Sequence, residues 1–313
     1  MNSRQKLNLV LAVLAVGLVA GVLLSQKKDK KNPPLTALKA GAVTTIAIEH
    51  PDHPTITLKK TDGSWKLTAP VDADADALQV NSLLAVADTG VTSTLDPGKI
   101  KLRDVGLDPP EFTLKLNDTA IEFGGTEPLR FHRYVETGGK VALIEDVDGP
   151  AFDADYSDLV SKSVIPKGAE ITRIEVPGLT VSRTDDGKAW QSDPATSDAV
   201  GLQSFVDQWK QANAMWMKMA SDTGDETKSA PEPATITTKT GTIKLEILGR
   251  DPQLLLQRPD LKVNYALSKA EADKLLKLPP PPKPKAAAPA KDDSKKDEPK
   301  TGAAAPEAAD KQH

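Results

Sequence analysis

The chain has 313 residues, of which 39% are hydrophobic and 27% are charged, so it is long enough for two modest domains with apolar cores. Its net charge of -4 provides no basic field, which argues against a nucleic-acid partner. Cysteine is absent, which excludes disulfides, thiolate catalysis and cysteine metal sites.

An apolar stretch near the start of the chain predicts a membrane anchor. Residues 7–25 carry no charge, and about 20 apolar residues are what a helix needs to cross a bilayer core of about 30 Å. A cleaved signal peptide usually has a shorter apolar region that ends in a small-residue cleavage site, and no A-x-A pattern follows here. The sequence therefore predicts a single transmembrane helix at residues 7–25, after a cytoplasmic segment at residues 1–6.

The charges around this stretch do not settle its orientation. Arg4 and Lys6 precede it, whereas four lysines at positions 27–31 follow it. Counted alone, these charges lean towards a cytoplasmic C-terminal side. Anchors with short basic N-termini nevertheless commonly export the chain that follows them.

The first predicted domain follows a linker at residues 26–42 that contains proline and alanine. Alternating apolar residues predict strands at 43–49, 55–60, 112–116, 120–123, 131–136 and 141–144. Asp62-Gly63 predicts a tight hairpin turn, because glycine accepts the positive φ that such turns need. A further strand after this turn carries Trp65 and Leu67 on one face, and Pro70 ends it.

Helical spacing predicts a helix after this hairpin. The helix begins at Asp76, whose carboxylate can accept hydrogen bonds from the free backbone N–H groups of the first turn. Its apolar face comprises Val80, Leu83, Leu84 and Ala87. A short closing helix is predicted at residues 152–160.

The second half of the chain repeats this order of elements. Its predicted strands are at residues 171–176, 179–184, 234–239, 242–248, 253–257 and 263–267. Asp186-Gly187 and Trp190 correspond to Asp62-Gly63 and Trp65. Asp198 begins a helix with Leu202, Phe205, Val206 and Trp209 on one face. A last helix at 268–276 begins with the capping-box pattern of Ser268 and Glu271.

These elements predict an α+β fold. It consists of two tandem related units, at residues 43–166 and 167–278, each an antiparallel β-meander with a helix packed on one face. Trp65 and Trp190 are predicted to fill the seam between sheet and helix in their units. Residues 279–313 have almost no large apolar side chains, which predicts a disordered tail rich in proline, alanine and lysine. Its acidic residues largely cancel its lysines, which favours a solvated tail over a binding segment.

The sequence predicts no catalytic, cofactor-binding or metal-ligating residue. Asp72, Asp74 and Asp76 alternate as in calcium loops, but the run leads directly into an apolar-periodic helix, so helix capping is the favoured interpretation. His50 and His53 lie in a proline-bracketed turn without a third ligand, which favours a solvated hairpin tip. Phosphate-binding glycine loops, nucleophile elbows and H-E-x-x-H are all absent.

His132 and a methionine-rich segment also have structural interpretations. His132 alternates within a predicted strand and is interpreted as an ordinary sheet residue. The methionine-rich segment at 214–219 continues a helical stripe, so most of it is predicted to be core. Met215 and Met217 are the residues expected to protrude, and they are the candidates for a partner surface.

Several motifs in fixed order resemble a known family. They are G-x-W-x-L-x-x-P at residues 63–70, D-x-x-x-V-x-x-L-L at 76–84, Val-Gly-Leu-Asp-Pro-Pro at 105–110, the strand that ends at Gly124, Arg133-Tyr134-Val135, and the strand at 141–144. Together they resemble the family of domain of unknown function 4340, over most of residues 43–166. The second half departs from the pattern after Trp190, where Gln-Ser-Asp replaces Lys-Leu-Thr.

The resemblance implies a bacterial inner-membrane protein with a single N-terminal anchor and the bulk of the chain in the periplasm. It also implies association with ABC-type transport systems, and it names no catalytic residue. The leading hypothesis is therefore a non-catalytic accessory or binding protein with a transporter or envelope protein as its partner. The alternatives are a cell-envelope polymer hydrolase or transferase that uses carboxylates such as Asp72 or Glu122, and a peptidoglycan- or carbohydrate-binding module.

Overall fold

The α+β architecture is confirmed by a computed structural model, which describes residues 32–147, 149–222 and 230–279. In that part of the chain, two antiparallel sheets are accompanied by three α-helices and several short 3-10 turns. None of the helices described there is both long and apolar enough to cross a membrane. The predicted anchor at 7–25, the segment at 1–6 and all but the first residue of the predicted tail at 279–313 lie outside the described residues.

The first sheet contains nine strands. They are β1 Thr45–Glu49, β2 Ile56–Thr61, β3 Ser64–Ala69, β4 Ala73–Asp74, β5 Val91–Leu95, β6 Phe112–Leu116, β7 Thr119–Thr126, β8 His132–Thr137 and β9 Lys140–Glu145. Their order across the sheet is β4-β3-β2-β1-β6-β7-β8-β9-β5. Helix α1, Ala77–Ala85, connects β4 to β5 and begins at Asp76 as the apolar spacing predicts.

The second sheet contains eight strands. They are β10 Ile171–Val176, β11 Leu179–Arg183, β12 Trp190–Asp193, β13 Trp216–Met219, β14 Glu232–Thr238, β15 Thr242–Gly249, β16 Leu254–Arg258 and β17 Val263–Leu267. Helix α2, Ala199–Gln211, precedes β13, and helix α3, Lys269–Leu276, follows β17. The predicted capping box of Ser268 and Glu271 is present at the start of α3.

Both sheets have the same strand order when the two-residue β4 is left aside. The second sheet runs β12-β11-β10-β14-β15-β16-β17-β13. In each sheet a three-stranded hairpin group forms one edge, and the strand that follows the helix, β5 or β13, forms the other. The strand after the helix therefore crosses to the far edge before the remaining four strands complete the meander.

Side chains from both sheets enter one continuous apolar core. Alternation in β1 turns Ile46 and Ile48 inward, while Ala47 between them lies on the outer face. In β17 all five residues are buried, because a small outer cluster covers its other face. That cluster contains Leu248, Leu255 and Ala266 with Trp216 packed against it.

The segment between the two sheets bonds to both of them. On the first side, Asp76 N–H donates to Leu159 O at 2.8 Å, and Ser161 N–H donates to Asp74 O at 2.7 Å. On the second side, Ala214 N–H donates to Lys162 O at 2.8 Å. Residues 159–162 thus tie the two halves together through their backbone.

The predicted closing helix at 152–160 is wrong. The structure has two separate 3-10 turns there, Pro150–Phe152 and Tyr156–Leu159. Asp155 accepts a hydrogen bond from Ser157 N–H at 2.8 Å and starts the second turn anew. The backbone beyond it pairs with both halves instead of with itself, so no continuous helix can form.

For the methionine-rich segment, the predicted helix and the predicted exposure of Met217 are wrong, whereas the predicted exposure of Met215 is confirmed. Helix α2 ends at Gln211, and Trp216–Met219 is an edge strand paired with β17. Strand alternation buries Met217, which was expected to protrude, and leaves Met215 52% exposed. Only Met215 therefore stays available from the predicted partner surface.

Candidate functional site

Two of the three aspartates before α1 have structural partners, and the third, Asp72, is exposed. Asp76 accepts hydrogen bonds from Leu78 N–H at 2.8 Å and Gln79 N–H at 3.2 Å, which confirms the capping interpretation. Asp74 lies 3.6 Å from the Lys66 ammonium, and Asp72 is exposed. Within the described residues, no group of three or more His, Asp or Glu side chains could hold a metal ion.

His50 is more firmly held than a solvated hairpin tip would be. Its Nε2 lies 2.8 Å from Phe152 O, and its ring stacks on Phe112 with centroids 5.4 Å apart. Burial, as the largest effect, lowers the pKa of His50 below its usual value, and nearby His53 adds to this. His53 itself is exposed, so only half of the predicted tip is solvated.

The remaining residues singled out from the sequence do not converge. His132 is a half-buried residue of β8, as predicted. Glu122 lies on β7 directly opposite Glu136 of β8. Asp72 lies between β3 and β4, so β2, β1 and β6 separate it from Glu122. The two carboxylates named for the hydrolase alternative are therefore far apart.

The structure contains a cleft of about 500 Å³ where the second half of the chain begins. One wall comes from the segment that leads into β10, at residues 165, 166 and 168–172. Gly187 and three cationic residues complete the lining, namely Arg183 from β11, Lys210 from α2 and Lys239 beyond the end of β14. Glu170 is the one carboxylate in this lining. The cleft thus carries three cationic residues and one carboxylate on a lining that also includes apolar residues.

Arg183 and Lys210 are held in place by a chain of contacts around Trp190. The Arg183 guanidinium lies 4.1 Å from the centroid of the Trp190 ring, a cation–π arrangement. The Trp190 indole N–H donates to Gln203 Oε1 at 3.0 Å. Gln203 in turn donates to Asp207 at 3.0 Å, and the Lys210 ammonium donates to Asp207 at 3.2 Å.

Lys239 is paired within the cleft. Its ammonium donates a hydrogen bond to the Glu170 carboxylate, and this bond lowers the pKa of Glu170. Arg183 and Lys210 act on Glu170 in the same direction, so their charges lie close to it. An incoming carboxylate or phosphate group would meet these same cations.

The first half has no equivalent of this cationic arrangement. Counted from the capping Asp76, the positions that correspond to Gln203, Asp207 and Lys210 are Asn81, Ala85 and Asp88. Trp65 is also only half-buried, whereas Trp190 is buried. Among the described residues, this series of contacts from Trp190 to Lys210 therefore has no counterpart in the first half.

Sequence reasoning missed the cleft because its residues come from four distant segments. Lysines and arginines are common on any surface, so none of them stands out alone. The useful signal was the helical spacing of Gln203, Asp207 and Lys210, which places the three side chains on one face of α2. The departure from the family pattern after Trp190 lies next to this face.

A second polar cluster lies in the segment that joins the two halves. Burial, together with Asp155 and Asp153, raises the pKa of Asp158 to about 6. Because the folded chain holds this proton more tightly than the unfolded chain, the contribution of Asp158 to stability is fully present below about pH 4. It is lost as the pH rises towards 6 and stays lost above that.

Replacing Asp158 by asparagine should therefore stabilise the protein at pH 7.5 and leave it nearly unchanged at pH 3.5. For a fully buried group such a rise in pKa would correspond to roughly 3 kcal/mol. We expect a gain of only about 1 kcal/mol, because water reaches this side chain. Urea unfolding at the two pH values measures it, with Asp52→Asn as an exposed control. An equal gain at both pH values would contradict the assignment.

Comparison with known proteins gives one match. The model of a family described as Domain of unknown function (DUF4340) matches residues 65–223, just over half of the chain. The matched stretch runs from β3 across the junction of the two halves to the end of β13, so it includes Arg183, Trp190 and Lys210. No curated protein and no solved structure matches the chain.

Proposed function

This chain belongs to the DUF4340 family, and we propose that it is a membrane-anchored, extracytoplasmic binding protein that assists an ABC-type transport system without catalysing a reaction. The charge-free residues 7–25 support the anchor, since their length suits a bilayer core. The expectation of export comes from the family resemblance. In this arrangement the whole described part of the chain faces the periplasm.

We also propose that the two halves are an internal repeat in which the second half has acquired the binding role. The shared strand order supports this, as do the helices capped by Asp76 and Asp198. Only the second half combines a buried tryptophan with the cationic cleft. The first half then serves chiefly as the scaffold between the anchor and the cleft.

The observation that carries the binding role is the geometry of Arg183 and Lys210. The Arg183 guanidinium is held against the buried Trp190 ring, and the exposed Lys210 ammonium pairs with Asp207. Arg183 therefore loses little side-chain freedom when a ligand binds. A guanidinium can donate two parallel hydrogen bonds to a carboxylate, and an ammonium adds a point charge. The cleft is suited to an acidic side chain or chain end of a partner protein.

Affinity purification from detergent-solubilised membranes tests this proposal. We expect the wild-type chain to recover a reproducible protein partner and the double variant Arg183→Glu/Lys210→Glu to lose most of it. Lys59→Glu, at an exposed lysine of β2, is the matched control and should retain the partner. A C-terminal reporter that is active only outside the cytoplasm checks export in the same strains. Recovery of no partner by the wild-type chain would refute the binding role.

One observation favours the alternative of an envelope hydrolase. Glu122 and Glu136 face each other across β7 and β8, and side chains in such pairs lie about 5 Å apart at Cβ. Side chains that start this close can bring their carboxyl groups to the separation of about 5 Å that a retaining glycosidase uses. Release of soluble fragments from purified sacculi by the wild-type chain, but not by Glu122→Gln, would favour this alternative over the binding role.

A further inference from the structure

The turn between β7 and β8 exposes two large apolar side chains two positions apart in the chain. Leu129 is 86% exposed and Phe131 is 72% exposed. Single exposed apolar residues are ordinary, but a pair at the tip of one turn forms a patch that an interaction would explain. Residues 127–131 are called the apolar tip below.

The apolar tip is a defined structure. Phe131 N–H donates to Glu127 O at 3.0 Å, and Glu127 N–H donates to His132 O at 2.7 Å. The Glu127 carboxylate also accepts a hydrogen bond from Arg130 N–H at 3.0 Å. These bonds hold Leu129 and Phe131 outward, so the apolar surface is displayed at little further entropic cost.

Arg130 and Glu127 are the charged residues of the apolar tip. Arg130 is exposed and forms no ion pair with any residue that the structure describes. Arg133 beside the tip donates to Glu111 at 2.6 Å and to Asp146 at 2.7 Å, so it shares one positive charge between two carboxylates. The exposed Arg130 guanidinium can still reach a lipid phosphate at the interface of a membrane, where apolar side chains can also insert.

The apolar tip lies at the end of the sheet where the described chain begins. Val91 N–H donates to Pro33 O at 2.8 Å, so the chain enters beside the start of β5. Val91 pairs with Ile144 of β9, and the neighbouring Glu145 pairs with His132 at the start of β8. Three strand spacings, about 14 Å, therefore separate Pro33 from the strand that follows the apolar tip.

The chain that precedes this entry point is short. Residues 26–31 can span at most about 20 Å when fully extended. With residues 7–25 in the bilayer, this end of the sheet is kept within about 20 Å of the membrane surface. The opposite end of the sheet, where β9 begins at Lys140, points away from the entry point.

We propose that Leu129 and Phe131 insert into the lipid headgroup region of the membrane that holds the anchor, with Arg130 on anionic lipid phosphates. This inference rests on the proposed anchor at residues 7–25. The contact fixes the orientation of the first sheet on the membrane, so the body is held at two points instead of one.

The absence of cysteine allows a direct test with single labels. The full chain carrying Leu129→Cys is labelled with an environment-sensitive fluorophore and reconstituted into vesicles of phosphatidylcholine and phosphatidylglycerol. Lipids with a nitroxide near the headgroup serve as quenchers. Lys140→Cys, an exposed position at the opposite end of the same sheet, is the matched control. We expect several-fold stronger quenching at position 129, and Phe131→Ser should abolish most of it.

The outcomes separate this inference from the proposed function. A chain that does not float with the vesicles lacks the anchor, which overturns both. A chain that floats, but whose label at 129 is quenched no more than the label at 140, overturns the membrane contact alone. In the native membrane, a label at 129 that is shielded from water but not quenched by lipid would assign the apolar tip to a protein partner instead.

Discussion

Replacing Trp209 by alanine should lower the free energy of unfolding by about 3–5 kcal/mol, the usual cost of truncating a buried aromatic side chain. Trp209 of α2 is 0% exposed. Its indole N–H donates to Leu275 O at 3.0 Å, so it joins α2 to α3. The variant loses the ring and also leaves a buried carbonyl without its donor.

Two further variants separate these contributions. Trp209→Phe keeps most of the ring and loses only the hydrogen bond, so it should cost about 1–2 kcal/mol. Trp65→Ala removes a tryptophan that is only half-buried and should cost clearly less than Trp209→Ala. Urea unfolding of the three variants provides the measurement. An equal loss of unfolding free energy in Trp65→Ala and Trp209→Ala would mean that Trp65 fills the seam between sheet and helix, as the sequence predicts.

Trp65 and Trp190 show which structural features local sequence patterns can predict. The Asp-Gly turns and the capping aspartates are local patterns, so the hairpins and the starts of α1 and α2 are confirmed. The same patterns place Trp65 and Trp190 on equivalent strands. Their different burial depends on what packs over them, and Gln203 and Arg183 cover Trp190 only. The equivalent sequence positions of Trp65 and Trp190 therefore do not predict equal burial.

The two edge strands after the helices were not predicted, for opposite reasons. Strand β5, Val91–Leu95, has Thr and Ser at its centre and carries little apolar signal. Strand β13 is so apolar that it continued the helical stripe of α2 without a visible break. Each is defined by pairing with a strand distant in the chain, β9 or β17. Such pairing decides secondary structure where local preference is weak or ambiguous.

The apolar tip and the cationic cleft differ in how much of each can be recognised in the sequence. The apolar tip is contiguous, so Leu129 and Phe131 are visible in the sequence, but their exposure is not. The cleft is assembled from Glu170, Arg183, Lys210 and Lys239 by strand order, and no local pattern connects these residues. Binding surfaces of this kind become visible only after the topology is known.

The close approach of two backbone segments at Gly124 is the second feature with a large expected effect. A Cβ at this position would lie 2.3 Å from Val105 O and 2.9 Å from Leu107 Cγ. The 3-10 turn Leu102–Val105 thus packs directly on β7, and Leu107 is buried beside it. This contact explains why the Val-Gly-Leu-Asp-Pro-Pro run and the glycine at the end of the strand occur together.

Replacing Gly124 by alanine should therefore lower the free energy of unfolding by about 3 kcal/mol, the upper part of the range for overpacking, because a backbone oxygen cannot rotate away. Gly125→Ala is the matched control, since its Cβ would lie 3.5 Å from Glu111 Oε1, an ordinary contact. Gly249→Ala is a second control, because Gly249 holds the corresponding place in β15 and its Cβ would meet nothing within 4 Å. All three changes restrict the unfolded chain similarly, so differences in urea unfolding report on the folded state. If Gly124→Ala is as stable as Gly125→Ala, the turn can move aside, and the close packing does not contribute to the stability of the first sheet.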